Sequence, residues 1–137
     1  MKKIPWNQDL HMGITFIDDH HRKLIHIANE FIDAANRGHR PRTLTHLMKQ
    51  LREHTVSHLE TEETIMTSVR YDKRSIHVLK NERLKVVMKG FHKRLCKAEE
   101  VTVKDIQFLK KSLLHHIKDS NHAMNKSMEL LDTKKIR

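Results

Sequence analysis

Four times along this chain, apolar side chains recur at three- and four-residue spacing, and each run is cut by a turn only a few residues long. That period belongs to helices. Ile17, His21, Leu24, Ala28, Phe31 and Ala35 form the first stripe. It predicts a helix ending near Asn36, N-capped by Asp18 or Asp19. Gly38 and Pro41 in RGHRPR then act as stop and breaker. The second helix covers roughly 43–68, with Leu44, Leu47 and Leu51 on its inner face. After a loop around Val69–Lys73, the third runs from about Arg74 to Lys97 on His77, Asn81, Leu84, Met88, Phe91 and Leu95. The fourth follows Thr102 as cap, with Ile106, Leu109, Leu113, His116, then Ser120 or Asn121, Met124 and Met128.

Four helices joined by short loops fold as an up-down-up-down antiparallel bundle. The expected fold is all-α and a single domain, with a non-helical arm over 1–17, a bundle over about 18–131 and a polar, fraying tail at 132–137. Trp6 should pack on the body and Gly13 should make a bend. Only three Gly and two Pro interrupt the 137 residues, and a 37% hydrophobic fraction is enough for one core. No run of about 18 apolar residues predicts a membrane span. The start, MKKIPW, lacks the apolar stretch of a secretory signal, and Cys96 has no partner cysteine. These features point to the cytoplasm.

The net charge of +10 with neutral histidines raises the question of an acidic partner. The basic residues are spread along the chain and aromatics are only 4%, so there is no stacking platform and no nucleic-acid motif. A solvated basic surface, able to meet an acidic protein surface, is the reading that remains.

The second stripe does not stay apolar. Continued from Leu51, it meets His58 and Glu62, four residues apart on one helix face, before Ile65 and Met66. Burying such groups without partners costs about 2 kcal/mol or more each. The other stripes turn polar as well, and in an antiparallel bundle the polar positions fall towards one end. His21, His58, Glu62, His77, Asn81, His116 and Asn121 are therefore expected in one internal layer. One buried histidine is usually a hydrogen-bonded core residue. Four with a carboxylate point to a metal site. The methionines at 66, 88, 124 and 128 read as core filler.

Over nearly its whole length the chain resembles the bacterial hemerythrins. The resemblance rests on Trp6, Met12-Gly13-Ile14, Ile17-Asp18-x-x-His21, His58-x-x-x-Glu62-Glu63-x-x-Met66, Tyr71, His77 and His116-Ile117. It implies a four-helix bundle that binds dioxygen reversibly at a non-haem di-iron centre and is not an enzyme. It also implies that His21 and His58 serve one iron, that Glu62 bridges, and that His77 and His116 serve the other. Two positions depart from the family pattern. Asn81 stands where the family has His, and Asn121 where it has Asp. Leu59 and Ser112 replace the usual Phe and Trp.

An amide oxygen is a poor ligand for iron or zinc, and Asn121 lacks the anionic oxygen needed to bridge two cations. The expectation is a metal site on His21, His58, Glu62, His77 and His116, with one or two iron ions, zinc as the alternative, and Asn81 and Asn121 lining it. His21, His58 and Glu62 alone suit a mononuclear ion, which also admits a non-haem iron oxidase. The alternative reading is a degenerate, metal-free bundle serving as a structural or protein-interaction module. Among the spare histidines, His54 lies closest to the stripe. His20, His115 and His122 are rotated by about 100° from their neighbours and read as surface residues.

Overall fold

The computed structural model describes the backbone of residues 2–136 and the side chains of residues 2–131. Four helices carry the fold: α1 (Thr15–Asn36), α2 (Pro41–Ser68), α3 (Arg74–Cys96) and α4 (Val103–Ile136). No strand occurs among the described residues. Contacts between helix ends fix the topology. His21 near the start of α1 meets His58 near the end of α2, so these run antiparallel. Arg94 at the end of α3 pairs with Asp105 at the start of α4, while Lys80 pairs with Asp119, so these do too. The Phe31 and Phe91 rings meet edge-on at 5.6 Å, which places the ends of α1 and α3 side by side.

Local signals explain most boundaries. Thr102 and Asp105 form a reciprocal cap on α4: the Thr102 hydroxyl accepts from the Asp105 amide, and the Asp105 carboxylate accepts from the Thr102 amide. Gly38, at φ +68°, ends the α1 turn in a conformation that suits glycine. Three expectations are corrected. Pro41 does not break the chain but opens α2, where its missing N–H is harmless. The N-cap of α1 is Ile14, not Asp18 or Asp19, and the helix begins at Thr15. The helix α4 reaches Ile136, into the stretch expected as a non-helical polar tail, and Arg137 lies outside the described residues.

Asp18 is drawn away from the helix end by the arm. Its buried carboxylate accepts from the Met12 and Gly13 amides, both at 3.0 Å, and Gly13 sits at φ +94°. Asp18 thus holds the bend of the arm instead of capping α1. Ile4 is clamped on both sides by Asn29, amide to Oδ1 at 2.7 Å and Nδ2 to carbonyl at 2.8 Å. Trp6 packs against the core with the Arg22 guanidinium over its ring at 4.9 Å.

The core divides into two apolar clusters. The larger includes Leu24, Phe31, Met48, Leu51, Leu59, Leu84, Met88, Phe91, Leu109 and Leu113. The smaller gathers Ile17, Met66, Val69, Tyr71, Ala123 and Met124. Along α1 the order is Ile17, His21, Leu24; along α2 it is Leu59, Glu62, Met66; along α4 it is Ile117, Ser120, Met124. The polar side chains therefore form a layer between two apolar plugs. On α2 the inner face takes in Met48 rather than Leu47, which is only partly buried.

Candidate metal centre

Within that layer, His21, His58, Glu62 and His116 each bring one donor atom to a common point, all within 4.8 Å of one another. His21 is contributed by the second turn of α1, His58 and Glu62 by successive turns of α2, and His116 by the middle of α4. The side chains of His21, His58 and Glu62 are all but fully buried. His21 Nε2 stands 3.0 Å from His58 Nε2 and 3.3 Å from Glu62 Oε1, and His116 Nε2 stands 3.7 Å from that same oxygen. His58 Nε2 and the Ser120 hydroxyl also close on Glu62 Oε1.

Proton donors alone satisfy this arrangement badly. One carboxylate oxygen has about two lone-pair directions, yet four groups crowd it. His116 Nε2 is buried with no hydrogen-bond partner. Ligand atoms on a tetrahedral ion with bonds of ~2.0–2.1 Å lie about 3.3 Å apart, and the His21–His58, His21–Glu62 and His116–Glu62 spacings of 3.0, 3.3 and 3.7 Å lie around that value. Three imidazole nitrogens and one carboxylate oxygen are also a suitable set for iron or zinc. The residues present could hold a metal ion.

Electrostatics agree. Burial lowers the His58 pKa to about 4 and lowers that of His21, so both rings are neutral and keep lone pairs at neutral pH. Burial alone would raise the Glu62 carboxyl, but the imidazoles of His116, His21 and His58 outweigh it and hold the group well below the usual carboxylate range. The layer thus offers an anionic Glu62 beside the neutral rings of His21 and His58.

A second ring of contacts orients the first. His20 Nδ1 meets His58 Nδ1 at 3.3 Å, and His54 Nε2 meets the His20 carbonyl at 3.2 Å. A proton held between His20 and His58 leaves His58 Nε2 free to face the centre. The sequence places His20 at the surface. It is instead half-buried, because a 100° rotation from His21 points it towards α2 rather than towards solvent. His54 does not join the cluster but steadies His20. His115 and His122 are exposed as expected.

The remaining expected residues are placed differently. His77 lies outside the four-residue group, half-buried against the Tyr71 ring at 5.9 Å. Asn81 is buried in α3, and its Nδ2 has no acceptor. Asn121 faces the arm and donates to the Leu10 carbonyl at 3.0 Å. Ser120, the other choice at that turn of α4, is the one inside the layer, and its hydroxyl lies 3.2 Å from His21 Nε2. Only three-dimensional packing separates Ser120 from Asn121, since both fit a stripe that passes from His116 to Met124.

Known proteins share this arrangement of helices. The hemerythrin HHE cation binding domain matches residues 12–126. Bacteriohemerythrin of Pseudomonas aeruginosa is 26% identical over 121 residues, spanning 88% of this chain and 78% of that protein. Bacteriohemerythrin of Clostridium acetobutylicum is 22% identical over 142 residues, spanning 93% and 98%. A crystal structure of wild-type hemerythrin has a TM-score of 0.77 at 23% identity, covering 86% of this chain and 92% of that one. A point mutant of hemerythrin gives 0.78 at 23%, covering 88% and 93%.

Proposed function

This chain belongs to the hemerythrin HHE cation-binding family, and on that premise we propose that it holds one non-haem iron ion on His21, His58, Glu62 and His116 and serves as a dioxygen binder or sensor. Membership makes it a binding protein rather than an enzyme. The observation that carries the reading is the convergence of those four donor atoms within 4.8 Å in a buried layer.

An iron ion bound there would supply a redox-active centre with open positions for a small diatomic ligand. The protein's own contribution is positional. Ser120 fixes the Glu62 oxygen, and His20 fixes the ring of His58. The apolar clusters pack above and below the layer. His77 and Asn81 stand beside the centre on α3, and the neutral amide there supports one ion instead of two. Asn121, engaged with the Leu10 carbonyl, brings no anionic bridge. No helix among the described residues is long and apolar enough to cross a membrane. We place the protein in the cytoplasm, as one domain, with a basic surface suited to an acidic protein partner.

The test is optical. Iron-loaded protein, kept anaerobic and then aerated, should change its absorption spectrum and revert when oxygen is removed. An unchanged spectrum on fully loaded protein would reject dioxygen binding and leave the cation site alone. Protein that takes up zinc in preference to iron would reject it equally.

A further inference from the structure

The outer side of α3 is not the polar face that a bundle helix ordinarily shows to water. Ile76, Leu79 and Val86 are 53%, 55% and 68% exposed. With Arg83 and Gly90 they occupy positions 76, 79, 83, 86 and 90, the alternating three- and four-residue spacing of a coiled-coil seam. At ~1.5 Å per residue the seam is about 20 Å long. Arg94 pairs with Asp105 and Lys80 with Asp119, which sets the register of α3 against α4. That register brings Phe108, 54% exposed and three residues on from Asp105, level with Gly90. Phe108 therefore continues the apolar patch past the end of the seam.

Gly90 is a second, independent sign. Glycine weakens a helix interior relative to alanine. A Cβ at this position would have no neighbour within 4 Å, so no packing inside the bundle requires its absence. A bare backbone at a seam position lets another helix come close.

The charge around the seam selects the occupant. α3 carries seven basic residues and one acidic residue, Glu82. Lys80, Lys85 and Arg94 have carboxylate partners in this chain, and Glu82 is engaged by Lys85. Arg83 in the seam, and Lys89 and Lys93 beside it, are exposed and have no carboxylate partner among the described residues. A second copy would set this positive excess against itself. An anionic membrane would match the charge, but a helix lying in a membrane surface presents a wide apolar face. The opposite side of α3 is committed to the core through Leu84, Met88, Phe91 and Leu95. An acidic helix matches both the narrow seam and its charge.

We propose that the outer face of α3 docks an amphipathic helix of a partner protein, with aliphatic residues along its seam and Glu or Asp along its edges. The apolar patch is small, so the complex is a transient one that salt weakens. This surface gives the acidic partner named above a place on the fold. It rests on that reading of the basic surface and not on the metal, since no seam residue belongs to the four-donor group.

The probe is a synthetic helix of about three heptads with Leu at the seam positions and Glu at the flanking ones, whose own charges keep it from pairing with itself. It is titrated against ¹⁵N-labelled protein, metal-free and zinc-loaded. Saturable shifts of the backbone amides of residues 76–90 are expected in both states, with weaker binding as salt is raised past ~0.15 M. Affinity should fall about tenfold or more in Leu79→Ser and in the double variant Arg83→Glu, Lys93→Glu. All three positions are exposed, so these variants should keep the fold, which circular dichroism checks. No saturable binding, equal binding of the same peptide with Lys in place of Glu, shifts confined to another face, or unchanged affinity in a folded variant would overturn the proposal. So would a doubled mass in sedimentation that Leu79→Ser abolishes, which would assign the face to a second copy. Cosedimentation with phosphatidylserine-containing vesicles, lost in Leu79→Ser and without peptide binding, would assign it to a membrane. Failure to load zinc with peptide binding intact would count against the metal reading alone.

Discussion

The Nε2 atoms of His21 and His58 stand 3.0 Å apart in the buried layer, their rings crossing at 75°. Both point at the same oxygen of Glu62. Two neutral imidazoles can share one proton across such a gap, but that leaves His116 Nε2 without a partner and Ser120 competing for the oxygen. A cation at the common point satisfies all of them at once.

Glu62 is the only anionic donor in the group, so Glu62→Gln, which keeps the shape and removes the charge, should weaken zinc or iron binding by roughly 100-fold or more. Helical content should be unchanged by circular dichroism. Competition against a chromophoric chelator measures the affinity. Wild-type affinity in the variant would remove Glu62 from the site.

His20→Ala tests the outer ring. His20 lies outside the four-donor group but fixes the far nitrogen of His58. Loss of such an orienting partner typically costs 10–100-fold in metal affinity. Chelator competition should show a drop of about that size, while His122→Ala, at an exposed position, should show none. Equal effects would mean that His20 acts only through general stability.

Acid should destabilise the metal-free protein in a defined window. Above pH 6.5 neither folded nor unfolded chains protonate His58, so it adds no pH dependence. From there down to about pH 4 the unfolded chain takes up a proton that the folded chain refuses, and stability falls. His21, lowered in the same direction by burial, adds to this slope. Below the ordinary carboxylate value of 4.5, Glu62 works the same way, since its folded-state charge is favoured. Urea melts between pH 8 and pH 4 should show a shoulder near neutrality and a steady decline below pH 6.5. Stability that rises on acidification would contradict the assignment of neutral, buried rings.

Arg94 and Asp105 offer a change remote from the layer. The guanidinium grips both carboxylate oxygens, at 2.8 and 3.0 Å, and with the Thr102 cap it holds the Asp105 pKa down to about 2. Asp105→Ala removes the Arg94 pair and the carboxylate's half of the reciprocal α4 cap, leaving the Thr102 hydroxyl on the backbone amide, and should cost about 1 kcal/mol, read from denaturant melts. Metal content should not change. A loss of metal in this variant would show that the centre responds to general loosening of α4.

Helix number, order and most boundaries are legible in the spacing of apolar residues and in Gly38 and Thr102, because each helix buries one stripe. The polar layer is legible in the same stripes. The rest needs the third dimension. Asp18 reads as a helix cap, yet its carboxylate serves backbone amides of an arm whose path no periodicity encodes. Ser120 and Asn121 differ by one 100° step, and only the docking of the arm against Asn121 decides which faces the layer. His20 looks outward on a wheel drawn for α1 alone, but α2 lies on that side. His77 sits at the right register and still lies outside the four-donor group, with its ring against Tyr71.

Metal content per chain is the measurement to make first, on untagged protein purified anaerobically from cells supplied with iron and zinc. One ion per chain, lost in Glu62→Gln, is the expected result. Two ions per chain, or none at all in correctly folded protein, would contradict a mononuclear centre on His21, His58, Glu62 and His116.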